Sequence, residues 1–199
     1  MPLGAHKVAL FGVAGVSTGG DVVLLSSQAA SDSANLDFTS GIDSTYGEYI
    51  FKFYNIGPAT DGANFEFQVN AAGGSGFNET ITSTTFSAYH NETGTSSGLA
   101  YGTTRDQAQG TGYQEIAWNI GNAADRCVAG MLHLFSPSST TYVKHFYSRF
   151  NRYDGGNTPP YTADDHAAGY INTTSAIDEI SFKMNSGNFD GTIKMWGVK

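Results

Sequence analysis

Apolar and polar residues alternate along most of this chain, and a period of two is the pattern of a β-strand with one buried face. The alternation is clearest in residues 63–69, where Phe65, Phe67 and Val69 are predicted to face a core and the polar residues between them to face solvent. Turn-forming Gly, Pro, Asn and Asp residues separate the alternating segments. The predicted strands are 21–28, 35–38, 48–56, 63–69, 80–90, 99–101, 113–118, 128–135, 141–150, 166–171, 176–184 and 192–198.

The last two predicted strands have the pattern of a hairpin at the C-terminus. Residues 185–191 between them contain three Asn or Asp residues and two Gly, which tolerate the backbone angles of a turn. In 176–184 the side chains predicted to be buried are Ile180, Phe182 and Met184. We therefore expect the two strands to pair and to hold the C-terminus in a sheet.

The composition agrees with an all-β protein. Charged residues make up 14% of the chain, against about a quarter in typical globular domains. No stretch sustains the 3.6-residue period of a helix, and the spacing of turns is that of a sandwich or barrel. The net charge of -8 argues against a nucleic-acid-binding face, which needs clustered Lys and Arg. The lone Cys127 cannot form an internal disulfide, which suits assembly in a reducing cytoplasm.

Residues 1–20 form a separate segment, rich in Gly and apolar residues, ahead of the predicted domain at 21–199. Glycines break its apolar run, which is too short to span a membrane. We expect an extended N-terminal arm that lies on its own domain or docks on a partner. The residues expected to anchor this assembly arm are Leu3, Val8, Leu10, Phe11, Val13 and Val16.

The polar residues match no catalytic, metal or cofactor motif, so no catalytic residue, metal site or cofactor is predicted. His133 and His145 lie on neighbouring predicted strands and could pair across a hairpin, although a hydrogen-bonded histidine within the sheet is the favoured interpretation. Asp164, Asp165 and His166 are consecutive, but neighbouring strand residues point to opposite faces, which favours turn and cap roles for the two Asp. Paired carboxylates of a glycan-cleaving enzyme are a spatial arrangement that sequence alone does not test.

Two long segments, 91–112 and 151–165, are predicted to be surface loops that carry any recognition function. Loops on a rigid sheet are where binding residues concentrate, and exposed aromatic rings can stack on sugars or anchor a protein interface. The aromatic residues in or near these loops give the candidate recognition set of Tyr101, Tyr113, Tyr153 and Tyr161.

Several blocks of the sequence resemble small structural proteins from the virions of tailed bacteriophages, especially marine ones. Near the N-terminus these are M-P-L-G-A-H-K, V-V-L-L-S-S-Q and F-T-S-G-I-D-S-T-Y-G-E-Y-I-F-K-F. The resemblance continues in L-H-L-F-S-P-S-S-T-T-Y-V-K-H-F-Y, A-G-Y-I-N-T-T-S-A-I-D-E-I and F-D-G-T-I-K-M-W-G-V-K, so it covers nearly the whole chain. It implies a phage origin and brings no catalytic residues with it.

The pattern and the resemblance together predict a jelly-roll-like antiparallel β-sandwich with an N-terminal arm. The implied function is structural: a subunit that decorates or cements a phage capsid, or is built into the tail or its fibres. Its expected partners are itself, as a homotrimer, and other virion proteins, and its location is the virion, assembled in the host cytoplasm. A carbohydrate- or receptor-binding module on the virion surface is the alternative, and a glycan depolymerase is a more distant one.

Overall fold

The fold is described from a computed structural model for residues 21–154 and 159–199. These residues form strands and connecting turns, with no helix among them. The predicted arm residues lie outside the described ranges. The strands are β1 (Val22–Ser33), β2 (Asn35–Phe38), β3 (Glu48–Pro58), β4 (Ala63–Ala71), β5 (Ile81–Asn91), β6 (Ser97–Tyr101), β7 (Ala108–Gly110), β8 (Gln114–Ile120), β9 (Val128–Phe135), β10 (Lys144–Asp154), β11 (Tyr161–Ile171), β12 (Ile177–Met184) and β13 (Phe189–Val198).

Two antiparallel sheets pack face to face, and eight of their strands have the order of a jelly roll. The large sheet contains the series β1-β13-β3-β9, and the small sheet is β2-β12-β4-β8. Within these eight strands the first pairs with the last, the second with the seventh, the third with the sixth and the fourth with the fifth. A long hairpin rolled into two sheets gives this pairing, and jelly rolls are built in this way. The predicted jelly-roll-like antiparallel β-sandwich is therefore confirmed.

The large sheet continues beyond the jelly roll. Past β9 its order is β10-β11-β5-β6, and β7 also pairs with β5. These additional strands come from two insertions in the chain, one between β4 and β8 and the other between β9 and β12. The small sheet has no matching extension, because β8 is its last strand. Part of the inner face of the large sheet therefore lies beyond the edge of the small one.

The core between the sheets is built mainly from phenylalanine rings. The predicted inward residues of β4 and β12 are buried, as predicted from the alternation, and Tyr49 and Phe51 of β3 are buried as well. Phe182 lies at the centre, with ring centroids of five other phenylalanines between 5.0 and 6.4 Å from its own. Edge-to-face and tilted contacts of this kind stabilise a core beyond simple burial. The five neighbours are Phe38, Phe51, Phe53, Phe65 and Phe67.

The predicted C-terminal hairpin is wrong. The strand β12 pairs with β2 and β4 in the small sheet, whereas β13 pairs with β1 and β3 in the large sheet. The turn between them therefore crosses from one sheet to the other. Each strand has one apolar face, and stacking the two faces across the core buries both. Alternation identifies the buried face of a strand but not its hydrogen-bonded neighbours.

The predicted exposure of Glu66 and Gln68 on β4 is also wrong, since both side chains are buried on the outer side of the small sheet. Loops cover this surface. The Gln68 amide donates hydrogen bonds to the carbonyl oxygens of Glu79, Thr111 and Gly112 at 2.9, 3.2 and 2.8 Å. A polar side chain can be buried at little cost when its hydrogen bonds are made in this way.

Both predicted long loops contain paired strands. The segment 91–112 contains β6 and β7, both paired with β5. In the segment 151–165, β10 continues to Asp154 and β11 begins at Tyr161. The first and last residues of this segment therefore pair with each other as strands. In β6 and β7 no period-two alternation marks a buried face, because nearly all of their residues are exposed.

Candidate binding cleft

A cleft of about 480 Å³ lies where the extended part of the large sheet passes the edge of the small sheet. Inward-facing residues of β5 and β11 line its floor, and the turn that follows β6 forms one wall. On the other side stands β8, the edge strand of the small sheet. The lining residues used below are Ser87, Tyr89, Ser96, Tyr101, Thr103, Thr104, Arg105, Trp118, Arg152, Asp154 and Tyr161.

Arg152 is the central charged group of the cleft. Its Nε donates to Asp165 at 2.8 Å and its Nη1 donates to Asp154 at 2.7 Å. The side chain is 7% exposed, so these are buried, charge-assisted hydrogen bonds. Asp154 also accepts from the Asn119 amide at 3.0 and 3.1 Å, which joins β10 of the large sheet to β8 of the small sheet.

Asp165 is fully buried, and burial raises the pKa of its carboxyl group. Arg152, the Ser87 hydroxyl and the backbone of Trp118 counteract part of this shift because they stabilise the charged form. Ser87 donates to one carboxylate oxygen at 2.7 Å, and Arg152 donates to the other. The Asp165 carboxylate thus holds the Arg152 guanidinium in place at the lining of the cleft.

Trp118 lies beside two arginines at the edge of the small sheet. The guanidinium carbons of Arg105 and Arg152 are 4.9 and 5.8 Å from the centre of its ring, within the range of cation–π attraction. Arg105 also forms an ion pair with Glu115 at 2.5 Å. Both arginines are therefore held in place by an aromatic ring and a carboxylate.

A β-bulge in β8 accompanies this arrangement. Between the pairs Phe65–Ala117 and Ala63–Ile120, β8 contains one residue more than β4. Asn119 in the bulge has a φ of 54°, in the left-handed region that asparagine tolerates better than most residues. Bulges of this kind redirect side chains, and here the Asn119 amide reaches Asp154 across the two sheets.

Two of the four predicted recognition tyrosines line the cleft. Tyr161 points inward from the start of β11, and its ring lies edge-on to Tyr89 of β5 with a centroid separation of 5.8 Å. Tyr101 borders the cleft at the end of β6, and its hydroxyl donates to Asp106 at 2.6 Å.

The other two predicted tyrosines lie elsewhere. Tyr113 packs against the small sheet, where its hydroxyl bonds the Ser181 hydroxyl at 3.2 Å and the Lys183 ammonium lies 4.1 Å from its ring centre. Tyr153 packs with Arg126, whose guanidinium carbon is 5.8 Å from the ring centre. These side chains have local partners and are not part of the cleft.

The turn and cap roles predicted for Asp164 and Asp165 are wrong, because both residues lie within β11 and pair with arginines of β10. Their side chains do point to opposite faces, as predicted: Asp165 meets Arg152 inside, and Asp164 meets Arg149 outside at 2.8 Å. Hydrogen bonds from Arg149 lower the pKa of the Asp164 carboxyl group. Within the described residues, no group of three His, Cys, Asp or Glu side chains is placed to hold a metal ion.

The two histidines on β9 and β10 do not stand opposite each other. His133 lies across from Tyr147, with ring centroids 4.4 Å apart, and its Nδ1 bonds Glu48. His145 lies beside Tyr170 instead. The favoured interpretation, a histidine satisfied within the sheet, describes His133.

Sequence reasoning missed the charged part of the cleft, although one signal was present. The inward positions of β10 run through Phe146, Ser148 and Phe150, and the next two in phase are Arg152 and Asp154. A charged residue in phase with buried phenylalanines predicts a buried ion pair. The partners on β8 and β11 are distant in sequence and gave no comparable signal.

Comparison with known protein families, curated proteins and solved structures finds no match to this chain. Among residues 21–154 and 159–199, no helix has the length and apolar character that crossing a membrane would require.

Proposed function

We propose that this protein is a structural subunit of a bacteriophage particle, a capsid decoration or cement protein or a tail or fibre subunit, and that it acts through protein–protein assembly as a homotrimer. The observation that carries the proposal is the jelly-roll pairing of β1 with β13, β2 with β12, β3 with β9 and β4 with β8. Viral capsid domains use this architecture, as do lectins and cupins. The sequence resemblance to phage virion proteins favours the viral use.

One band across the outer face of the large sheet supports assembly because it is rich in aromatic and aliphatic side chains. An antiparallel sheet that faces water normally presents polar residues on that side. Here one row of neighbouring positions crosses the sheet from β1 to β10, and Leu24 and Tyr147 within it are 45% and 44% exposed. The row consists of Leu24, Trp196, Ile50, His133 and Tyr147.

The charges on this face favour a second copy of this chain as the protein that binds it. In the next row Lys194 and Lys52 lie side by side, and neither has an acidic partner among the described residues. The chain as a whole has a net charge of -8, so the surface of another copy offers carboxylates to these lysines. Among the described residues, β1 is also an edge strand of twelve residues, and an unpaired edge is a template for association.

Deleting residues 2–18 tests the role of the arm. The apolar side chains there contribute roughly 1.5–3 kcal/mol each when buried, so we expect the truncated domain to fold but to lose its place in the particle. Thermal unfolding checks the fold, light scattering gives the mass relative to the 21.1 kDa chain, and particle incorporation is measured in purified virions. Normal incorporation of the truncated protein would make the arm a segment packed on its own domain.

Placing a carboxylate at Tyr147 tests the outer face. A Tyr147→Glu variant should shift the protein toward monomer, because a charge in an apolar interface must be desolvated on association. Tyr113→Glu is the matched control, since Tyr113 lies on the small sheet beside Lys183 and a carboxylate there gains a partner. A wild-type protein that is monomeric both in solution and in the particle would overturn the assembly proposal.

A further inference from the structure

Several polar groups of the cleft have no hydrogen-bond partner among the residues that the structure describes. The Nη2 atom of Arg152 has no hydrogen-bond partner among the described residues, although its Nε and Nη1 are bonded and the side chain is more than nine-tenths buried. The same holds for the hydroxyl groups of Tyr89 and Tyr161, and for those of Thr103 and Thr104 on the opposite wall. Because Arg152 lines the cleft, donors of its guanidinium that have no partner among the described residues are available to a ligand.

The charge of the cleft excludes a strongly anionic ligand as the best fit. Its two arginines are already paired, Arg105 with Glu115 and Arg152 with both Asp154 and Asp165. Two positive and three negative formal charges leave a balance of -1. A phosphate or carboxylate ligand would meet neutralised arginines and an excess of carboxylates, whereas an uncharged ligand meets no such penalty.

We propose that the cleft is a binding site for a neutral saccharide. Sugar hydroxyl groups both donate and accept hydrogen bonds, which matches the free arginine donors and the tyrosine and threonine hydroxyls that surround them. The rings of Tyr89 and Tyr161 offer amphipathic aromatic surface for the apolar faces of a sugar ring. A volume of about 480 Å³ lies within the range of small-molecule sites, and a few placed polar groups among aromatic rings are typical of such sites.

The position of the cleft makes this site independent of the assembly role. Its floor is the inner face of β5 and β11, strands that the eight-stranded jelly roll does not need. The apolar row used for assembly lies on the opposite face of the large sheet. A sugar could therefore bind while that outer face is covered, and either proposal can fail without the other.

The test measures binding of full-length protein to an array of neutral oligosaccharides built from hexoses, deoxyhexoses and N-acetylhexosamines, with uronate and sialylated oligosaccharides as acidic probes. Titration calorimetry of the best neutral probe then compares the wild type with Tyr161→Ala. We expect the substitution to weaken binding about tenfold, because it removes one aromatic contact. Tyr153→Ala is the matched control: it truncates a tyrosine on the same pair of strands but outside the cleft, and should leave the affinity unchanged.

A double variant, Thr103→Ala with Thr104→Ala, provides a second reading if Tyr161→Ala folds poorly, because both threonines are exposed on a turn. Loss of affinity in this variant supports the site. Three results would overturn it: no saturable binding of any neutral oligosaccharide, binding of the acidic probes alone, or neutral binding that neither cleft variant weakens.

Discussion

Replacing Phe182 by alanine is expected to lower the free energy of unfolding by about 3–5 kcal/mol, the range for deleting a fully buried phenylalanine side chain. Phe182 has no exposed surface and lies among five other phenylalanine rings drawn from both sheets. The rings around it belong to packed strands that cannot collapse fully into the space left behind. Part of the cost is therefore the cavity itself.

Chemical denaturation monitored by fluorescence measures this loss. Tyr142→Ala is the control, because Tyr142 is also an aromatic residue but is 74% exposed, and its removal should change stability by no more than about 0.5 kcal/mol. Phe67→Ala should behave like Phe182→Ala, since Phe67 is equally buried on β4. Equal, small losses for Phe182 and Tyr142 would contradict the packing of the two sheets.

Replacing Arg152 by methionine is expected to cost about 3–5 kcal/mol at neutral pH, because removing one partner leaves a buried charge uncompensated. The charges left behind are those of Asp154 and Asp165. Asp165 is fully buried and would keep only the Ser87 and Trp118 hydrogen bonds. Methionine preserves much of the volume of the arginine stem. The loss therefore reports on the ion pair more than on packing.

This cost should depend on pH, and its sign follows from the raised pKa of Asp165. Burial makes the folded state bind the proton more tightly than the unfolded state, so stability rises as pH falls through the interval between the two pKa values. Without Arg152 the folded pKa rises further, which widens that interval. The deficit of the variant should narrow as pH falls from 7 toward the ordinary aspartate value of about 3.9.

Arg149→Met is the matched control for this experiment. Arg149 lies on the same strand and pairs with the neighbouring Asp164, but its side chain is 65% exposed. Exposed ion pairs contribute only about 0–1 kcal/mol, so the control should lose little stability. Removing one of the two remaining carboxylates, with Asp165→Asn in the Arg152→Met background, should recover part of the loss. A deficit no larger than that of Arg149→Met would contradict the buried ion pair.

Alternation of residue type was sufficient to predict the apolar side chains of β4 and β12 that face the core, and the reason is local. In β4 and β12 each inward position is apolar and each core contact follows from the period of two. Strand pairing is a different property, because any two strands with one apolar face are compatible on that criterion alone. The wrong hairpin between β12 and β13 is an error of strand pairing. The wrong exposure of Gln68 has a related cause, because the loops that cover it come from distant parts of the chain.

The cleft was the hardest part to predict because residues from five strands meet in it. Tyr161 was identified from its place in a loop-like segment. Tyr89, Trp118 and Arg152 were not identified, because only the folded structure brings these three residues together in one cleft. The bulge at Asn119 brings an amide of β8 to Asp154 of β10, and no spacing in the sequence encodes that contact. The site combines residues of the two insertions with Trp118 of β8, and these segments are distant from one another in the sequence.

The pairing of the first jelly-roll strand with the last has a consequence for biosynthesis. Val22 lies opposite Val198, so β1 finds its partner only after almost the whole chain has been translated. At about 5–20 residues per second, the wait is on the order of 10–40 s on the ribosome. A topology with such distant contacts also folds slowly once the chain is released. During that interval the β1 edge is open to other nascent chains, which makes chaperone capacity in the producing cell a determinant of yield.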